Sequence, residues 1–183
     1  NPSNLQALRD LALSREVQGE ILERLDITDE ALQSFRKSLT VTEEFIRRHS
    51  GDVSALTYLD LLDCHQNIAE TLEKMRDSAG ALSEYVKAMQ AGEKAIAGDR
   101  ESLDAKRAVA NICSVLGKKY ASVAAVYSGR KRAEYNDLSK SALRQGIAQL
   151  EEIQTKGKLG KVDKAKMDEL KLELGRVSPR SKP

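Results

Sequence analysis

Cys64 and His65 stand side by side, a thiol next to an imidazole. A nucleophile and its base must converge on one atom, and adjacent residues of a helix do not face each other. His65 and Cys113 also fall at nearly equivalent positions of the repeat described below. That assigns them to packing. Zinc asks for four convergent ligands, and the chain holds only two His (His49, His65) and two Cys (Cys64, Cys113). No metal site is expected. Asp60 and Asp63 share a helix face, but paired carboxylates need a pocket to shift their pKa values, and none is legible. Gly157-Lys-Leu-Gly160-Lys lacks the spacing of a phosphate loop. Gly129-Arg-Lys-Arg132 is a short basic run without interleaved aromatics. It reads as a solvated loop or helix start, not a nucleic-acid contact. No catalytic residue and no cofactor are expected.

The elements that carry these residues must be helices. Ala, Leu, Glu, Lys, Arg and Gln dominate. The three prolines are Pro2, Pro179 and Pro183, so none interrupts the chain between Ser3 and Ser178. Aromatics are 4% and Trp is absent, so the core is aliphatic. A net charge of +2 gives no strong field for polyanions. The cysteines, inside apolar helical patterns, read as reduced thiols of a cytoplasmic protein. No apolar run is long enough to span a membrane, and no signal peptide is seen. A start at Asn1 without Met suggests a fragment of something larger.

The chain repeats itself. Thr28-Asp-Glu-Ala31-Leu-Gln-Ser-Phe35-Arg-Lys-Ser38-Leu39 aligns with Ser78-Ala-Gly-Ala81-Leu-Ser-Glu-Tyr85-Val-Lys-Ala88-Met89, at an offset of about 50 residues. Leu11, Gly19 and Leu22 fall on Leu61, Ala69 and Leu72 at the same offset. A third, weaker copy begins at Cys113-Ser-Val-Leu116-Gly117-Lys-Lys-Tyr120. Its second helix carries Leu138, Leu143, Ile147 and Leu150, after an insertion around Tyr127 to Tyr135. Gly19, Ala69 and Gly117 are then equivalent: small residues in each first helix that let the second approach. Phe35 and Tyr85 are the large residues that lock each pair, and Ala31 and Ala81 the small ones beside them. One hairpin cannot bury its apolar face alone, so neighbours must stack.

The expected helices cover about 4–25, 28–49, 53–77, 79–97, 101–128, 131–156 and 162–175. Gly51 and Gly98 are expected to close helices in the left-handed conformation, with Asp52 and Asp99 capping the next. Thr28 and Ser78 are expected N-caps. The expected fold class is all-α: tandem antiparallel helical hairpins in one domain, 1–176. The repeats are about 4–50, 52–98 and 101–156, closed by a capping helix with Met167, Leu170 and Leu174 on one stripe. Residues 177–183 read as a disordered tail.

Leu116-Gly-x-x-Tyr120 and Ala81-Leu-x-x-Tyr85-x-Lys-Ala88 resemble the tetratricopeptide repeat. The stretch from Asn1-Pro-Ser-Asn through Leu8-Arg-Asp-Leu11, Gly19-Glu-Ile-Leu and Glu30-Ala-Leu to Phe35-Arg-Lys-Ser-Leu resembles bacterial arrays of an unusually long repeat. Such arrays accompany kinase, caspase-like or cyclase domains in signalling proteins. Leu150-Glu-Glu-Ile, Gly157-Lys-Leu and Lys166-Met-Asp-Glu-Leu resemble the closing segment of kinase-linked examples. The likeness spans about residues 1–175. The closing proline and the usual Trp are missing.

This resemblance implies an α-solenoid scaffold that binds a protein or peptide in its concave groove, with no enzymatic activity. It places Glu16, Glu20 and Glu23, then Gln66, Glu70 and Glu73, then Asn111, Ser114 and Lys118 on the inner wall. The first six include five carboxylates, so a basic or amide-rich partner is expected. The Lys and Asn clamp that some relatives use for a terminal carboxylate is replaced by Glu16 and Glu20. Neither nucleic acid nor membrane is an expected partner. The alternative is self-association through the apolar edge of the imperfect third repeat.

Overall fold

The computed structural model describes residues 2–49 and 53–177. It is all-α: α1 (Pro2–Arg24), α2 (Thr28–Arg48), α3 (Ala55–Lys74), α4 (Ser78–Gly98), α5 (Leu103–Val126), α6 (Gly129–Thr155) and α7 (Lys161–Val177). The chain divides into two compact units, 1–100 with α1–α4 and 101–183 with α5–α7. Consecutive helices pair as antiparallel hairpins, and within the first unit α2 also packs on α3.

Three of the interhelix turns share one backbone solution. In the first, Ile27 N–H donates to Leu22 C=O at 2.9 Å and Asp26 N–H to Glu23 C=O at 3.0 Å. In the second, Asp77 donates to Leu72 at 2.8 Å and Arg76 to Glu73 at 2.9 Å. In the third, Lys158 donates to Ile153 at 3.2 Å and Gly157 to Gln154 at 2.9 Å. Each is a Schellman closure, which satisfies the last helical carbonyls and needs one left-handed residue. That residue is Asp26 (φ 59°), Arg76 (φ 63°) or Gly157 (φ 67°).

Several expected caps move. Gly98 is the last residue of α4, not a left-handed closer, and Asp99 is the C-cap of α4. Ser102 instead caps α5, its hydroxyl accepting from Ala105 N–H at 3.2 Å. Thr28 and Ser78 are the first helical residues; Ile27 and Asp77 occupy the cap positions. Asp77 accepts from Gly80 N–H at 2.9 Å, whereas Ile27 has no cap to offer. Ser54 caps α3. Ser50, Gly51 and Asp52 lie outside the described residues, as does the expected tail beyond Val177.

The close-approach positions are where the repeat puts them. A Cβ on Gly19 would lie 2.5 Å from the ring of buried Phe35. A Cβ on Gly117 would lie 2.5 Å from the buried Leu143 side chain. Ala69 and Tyr85 are buried in the second hairpin. Two hydroxyls fasten the paired helices: Ser38 donates to Ala12 C=O at 2.9 Å, and Ser139 to Gly117 C=O at 2.6 Å. In the third hairpin, the insertion adds helical turns rather than a loop. The connection is Tyr127-Ser128 alone, with Gly129 at φ 58° opening α6.

Helix α7 does more than close an end. Met167 and Leu170 join Leu143, Ile147, Leu150 and Ile153 in the second unit's core. Asp163 accepts two hydrogen bonds from the Arg107 guanidinium, each 3.0 Å, and one from Gly160 N–H at 3.0 Å. The last is the return half of a capping box.

Candidate partner-binding face

The heptad Arg9, Glu16, Glu23 on α1 meets α3. Arg9 pairs with Asp60 at 3.3 Å. Asn67 donates to Glu16 at 2.9 Å, Thr71 to Glu23 at 2.7 Å, and Lys74 pairs with Glu23 at 3.0 Å. Gln66 donates to Glu70 at 2.7 Å along α3 itself. Glu20, Asp63 and Glu70 remain exposed, while Glu16, Glu23, Gln66 and Glu73 are half-buried. Burial, with Asp63 and Glu20 nearby, pushes Glu16 up to about 7. Although its surface is exposed, crowding by neighbouring side chains strips part of the hydration of Asp63, and with Asp60 nearby its carboxyl is pushed up to about 6. Burial also raises Asp60, against the pull of Arg9. Carboxylates gathered this closely repel one another, and a cation placed among them would relieve that repulsion.

The third part of the expected wall is different. Asn111 is exposed, but Ser114 is 2% exposed and donates to Glu169 of α7 at 3.1 Å. Lys118 shares that carboxylate. Helix α7 lies along α5, so Ser114 faces α7 rather than an open groove. Its partners Lys118, Lys166 and Ser114 hold Glu169 down at about 2. Expected from its sequence only as an end cap, α7 instead covers Ser114. Asp60 and Asp63, which the sequence shows as a helix-face pair without a legible pocket, join the acidic face. They lie about one and two turns before Gln66 on the same helix, and that spacing was the available signal.

The thiol–imidazole pair diverges, as helix geometry requires. The Cys64 sulfur turns to α2, 3.5 Å from Ser38 Oγ and 3.7 Å from Thr42 Oγ1. His65 turns to α4, its Nδ1 2.7 Å from Glu84. Burial raises the Glu84 carboxyl, but hydrogen bonds from Lys87 and His65 outweigh it and leave a net lowering. Both cysteines are buried free thiols. The crevice between α1, α2 and α3, lined by Glu16, Asp60 and Cys64 among others, encloses 20 Å³. That is room for about one water, not for a substrate. Among the described residues, no three His, Cys, Asp or Glu side chains gather to hold a metal, and no helix is long and apolar enough to cross a membrane.

The basic run lies at the free end of the α5–α6 hairpin, with Arg130, Lys131 and Arg132 exposed in the first turn of α6. No aromatic interleaves the run, but two flank it. The Tyr127 and Tyr135 rings stack at 5.7 Å, and Lys131 Nζ sits 5.2 Å over Tyr127.

No protein-family model matches this chain, and no curated protein matches it in sequence.

Proposed function

We propose that this chain is a tetratricopeptide-like interaction module, three helical hairpins closed by α7, that binds a basic protein segment across the α1–α3 face. It would serve as a non-catalytic part of a signalling protein. The single observation that carries the reading is the crowding of Glu16, Glu20, Asp60 and Asp63 on adjoining helices, with Arg9 and Lys74 as nearby cations. A folded protein tolerates such repulsion where a ligand relieves it. The repeat-by-repeat matches and the close approaches at Gly19 and Gly117 support the family assignment. The proposed contact set keeps Glu16, Glu20, Glu23, Gln66, Glu70 and Glu73 of the first unit, and leaves out Asn111, Ser114 and Lys118, which belong to the second unit and of which Ser114 and Lys118 are engaged by Glu169 of α7.

Titration with a fluorescent Lys-rich helical peptide tests this directly. Binding should weaken steeply with salt, and Glu20→Lys with Glu70→Lys should abolish it. An acidic peptide of equal length should not bind. Affinity that survives both reversals would sink the assignment.

A further inference from the structure

The two units carry opposite charge. Residues 1–100 hold 12 of the 30 Lys and Arg and 18 of the 28 Asp and Glu, a formal −6; residues 101–183 hold the remaining 18 and 10, a formal +8. Each unit also exposes an apolar surface next to its strongest charge. On α1, Leu13, Val17 and Ile21 recur every fourth residue, each about half exposed, beside exposed Glu20. At the α5–α6 tip, Val126 is 80% exposed and Tyr127 42%, directly before Arg130, Lys131 and Arg132. The first turn of α6 holds no acidic residue, and Glu134 follows one turn later. Asp137, the next acid, pairs with Lys140. Among the described residues, none of the three cations pairs with a carboxylate.

From this complementarity we infer that the occupant of the α1–α3 face is a second copy of this chain, which inserts its α5–α6 tip. Val126 and Tyr127 would cover the Leu13–Val17–Ile21 ridge, and Arg130, Lys131 and Arg132 would reach Glu20, Asp63 and Glu70. The contact is heterologous: different surfaces meet, so a pair of copies keeps one acidic face and one basic tip free. A face-to-face arrangement of two α1 surfaces would instead oppose like charges. The inference rests on the acidic face being a docking surface, and it adds the identity of the partner.

Sedimentation velocity of the whole chain over about 10 to 500 μM, at low and high salt, tests it. The expected result is a mass that rises with concentration and an affinity that falls about tenfold or more at high salt. Two variants, Glu20→Lys/Glu70→Lys and Arg130→Glu/Lys131→Glu/Arg132→Glu, should each be monomeric, with unchanged helix content by circular dichroism. Mixed one to one, they should associate again, because one supplies an intact tip and the other an intact face. A wild-type chain that stays monomeric throughout, or a mixture that stays monomeric, overturns the inference. If the Lys-rich peptide still binds a monomeric chain, the acidic-face reading stands and only self-docking fails. If neither binds, both fail. A tip that instead captures single-stranded nucleic acid, lost in the triple reversal, with no self-association, also overturns it.

Discussion

Single residues in this chain carry backbone strain that the sequence does not advertise. Asp26 and Arg76 hold the left-handed conformation that closes α1 and α3, a place where Gly is preferred. An L-residue there costs roughly 1–2 kcal/mol. Asp26→Gly and Arg76→Gly should therefore each raise unfolding stability by about 1 kcal/mol, read as a higher urea midpoint with unchanged slope. Gly157→Ala, at the equivalent closure, should lower it by a similar amount. Glu16 makes a second prediction. Its folded pKa of about 7 exceeds the ordinary 4.5, so the folded chain binds that proton more tightly than the unfolded one. Stability should thus be highest below about pH 4.5 for this group and decline as pH rises toward 7. With allowance for the half-exposure of Glu16, the decline is about 1–2 kcal/mol. Glu16→Gln should remove that slope and raise stability at pH 8; a variant that keeps the slope would assign it elsewhere.

At the scale of the helix, the small-to-large pairing is what makes a hairpin. Gly19→Ala drives a methyl into the Phe35 ring and Gly117→Ala one into Leu143, so each should destabilise by about 1–3 kcal/mol. Gly175→Ala is the control: nothing lies within 4 Å, and Ala favours the helix by up to about 1 kcal/mol. Asp163→Asn should loosen α7, seen as faster amide exchange in α7, and because the Arg107 contact is partly solvated the loss should be only about 1–2 kcal/mol. Helix positions and the Gly19–Phe35 lock were legible because aliphatic periodicity and helix propensity agree along the chain. The caps were less so, since Thr28, Ser78 and Asp99 have the right chemistry one to three residues from where the closure geometry needs it. The left-handed Asp26 and Arg76 were invisible because neither residue type marks a turn as Gly does. Contact between α7 and α5 was missed for another reason. The Ser114–Glu169 and Lys118–Glu169 bonds join residues far apart in sequence, and no local pattern records them.

At the scale of the molecule, the division at Arg100 gives each half its own core and its own sign of charge. Both halves exceed the roughly 40 residues below which a chain needs disulfides or metals to fold. Each has large fully buried side chains: Phe35 and Leu62 in the first, Leu116, Leu143 and Leu170 in the second. Two cooperative blocks, one per unit, are therefore the expected behaviour. Native-state hydrogen exchange in Gly19→Ala and Gly117→Ala separates the possibilities. Gly19→Ala should lower protection across α1–α4 by its own destabilisation and leave α5–α7 unchanged. Gly117→Ala should do the reverse. If either change lowers protection equally in both halves, the chain opens as a single block, as a continuous repeat array of this length would when coupling between neighbours exceeds the stability of each. Two blocks would also let the acidic and basic halves respond separately to salt. The urea midpoint of each half should rise as added salt screens its own like-charge repulsion.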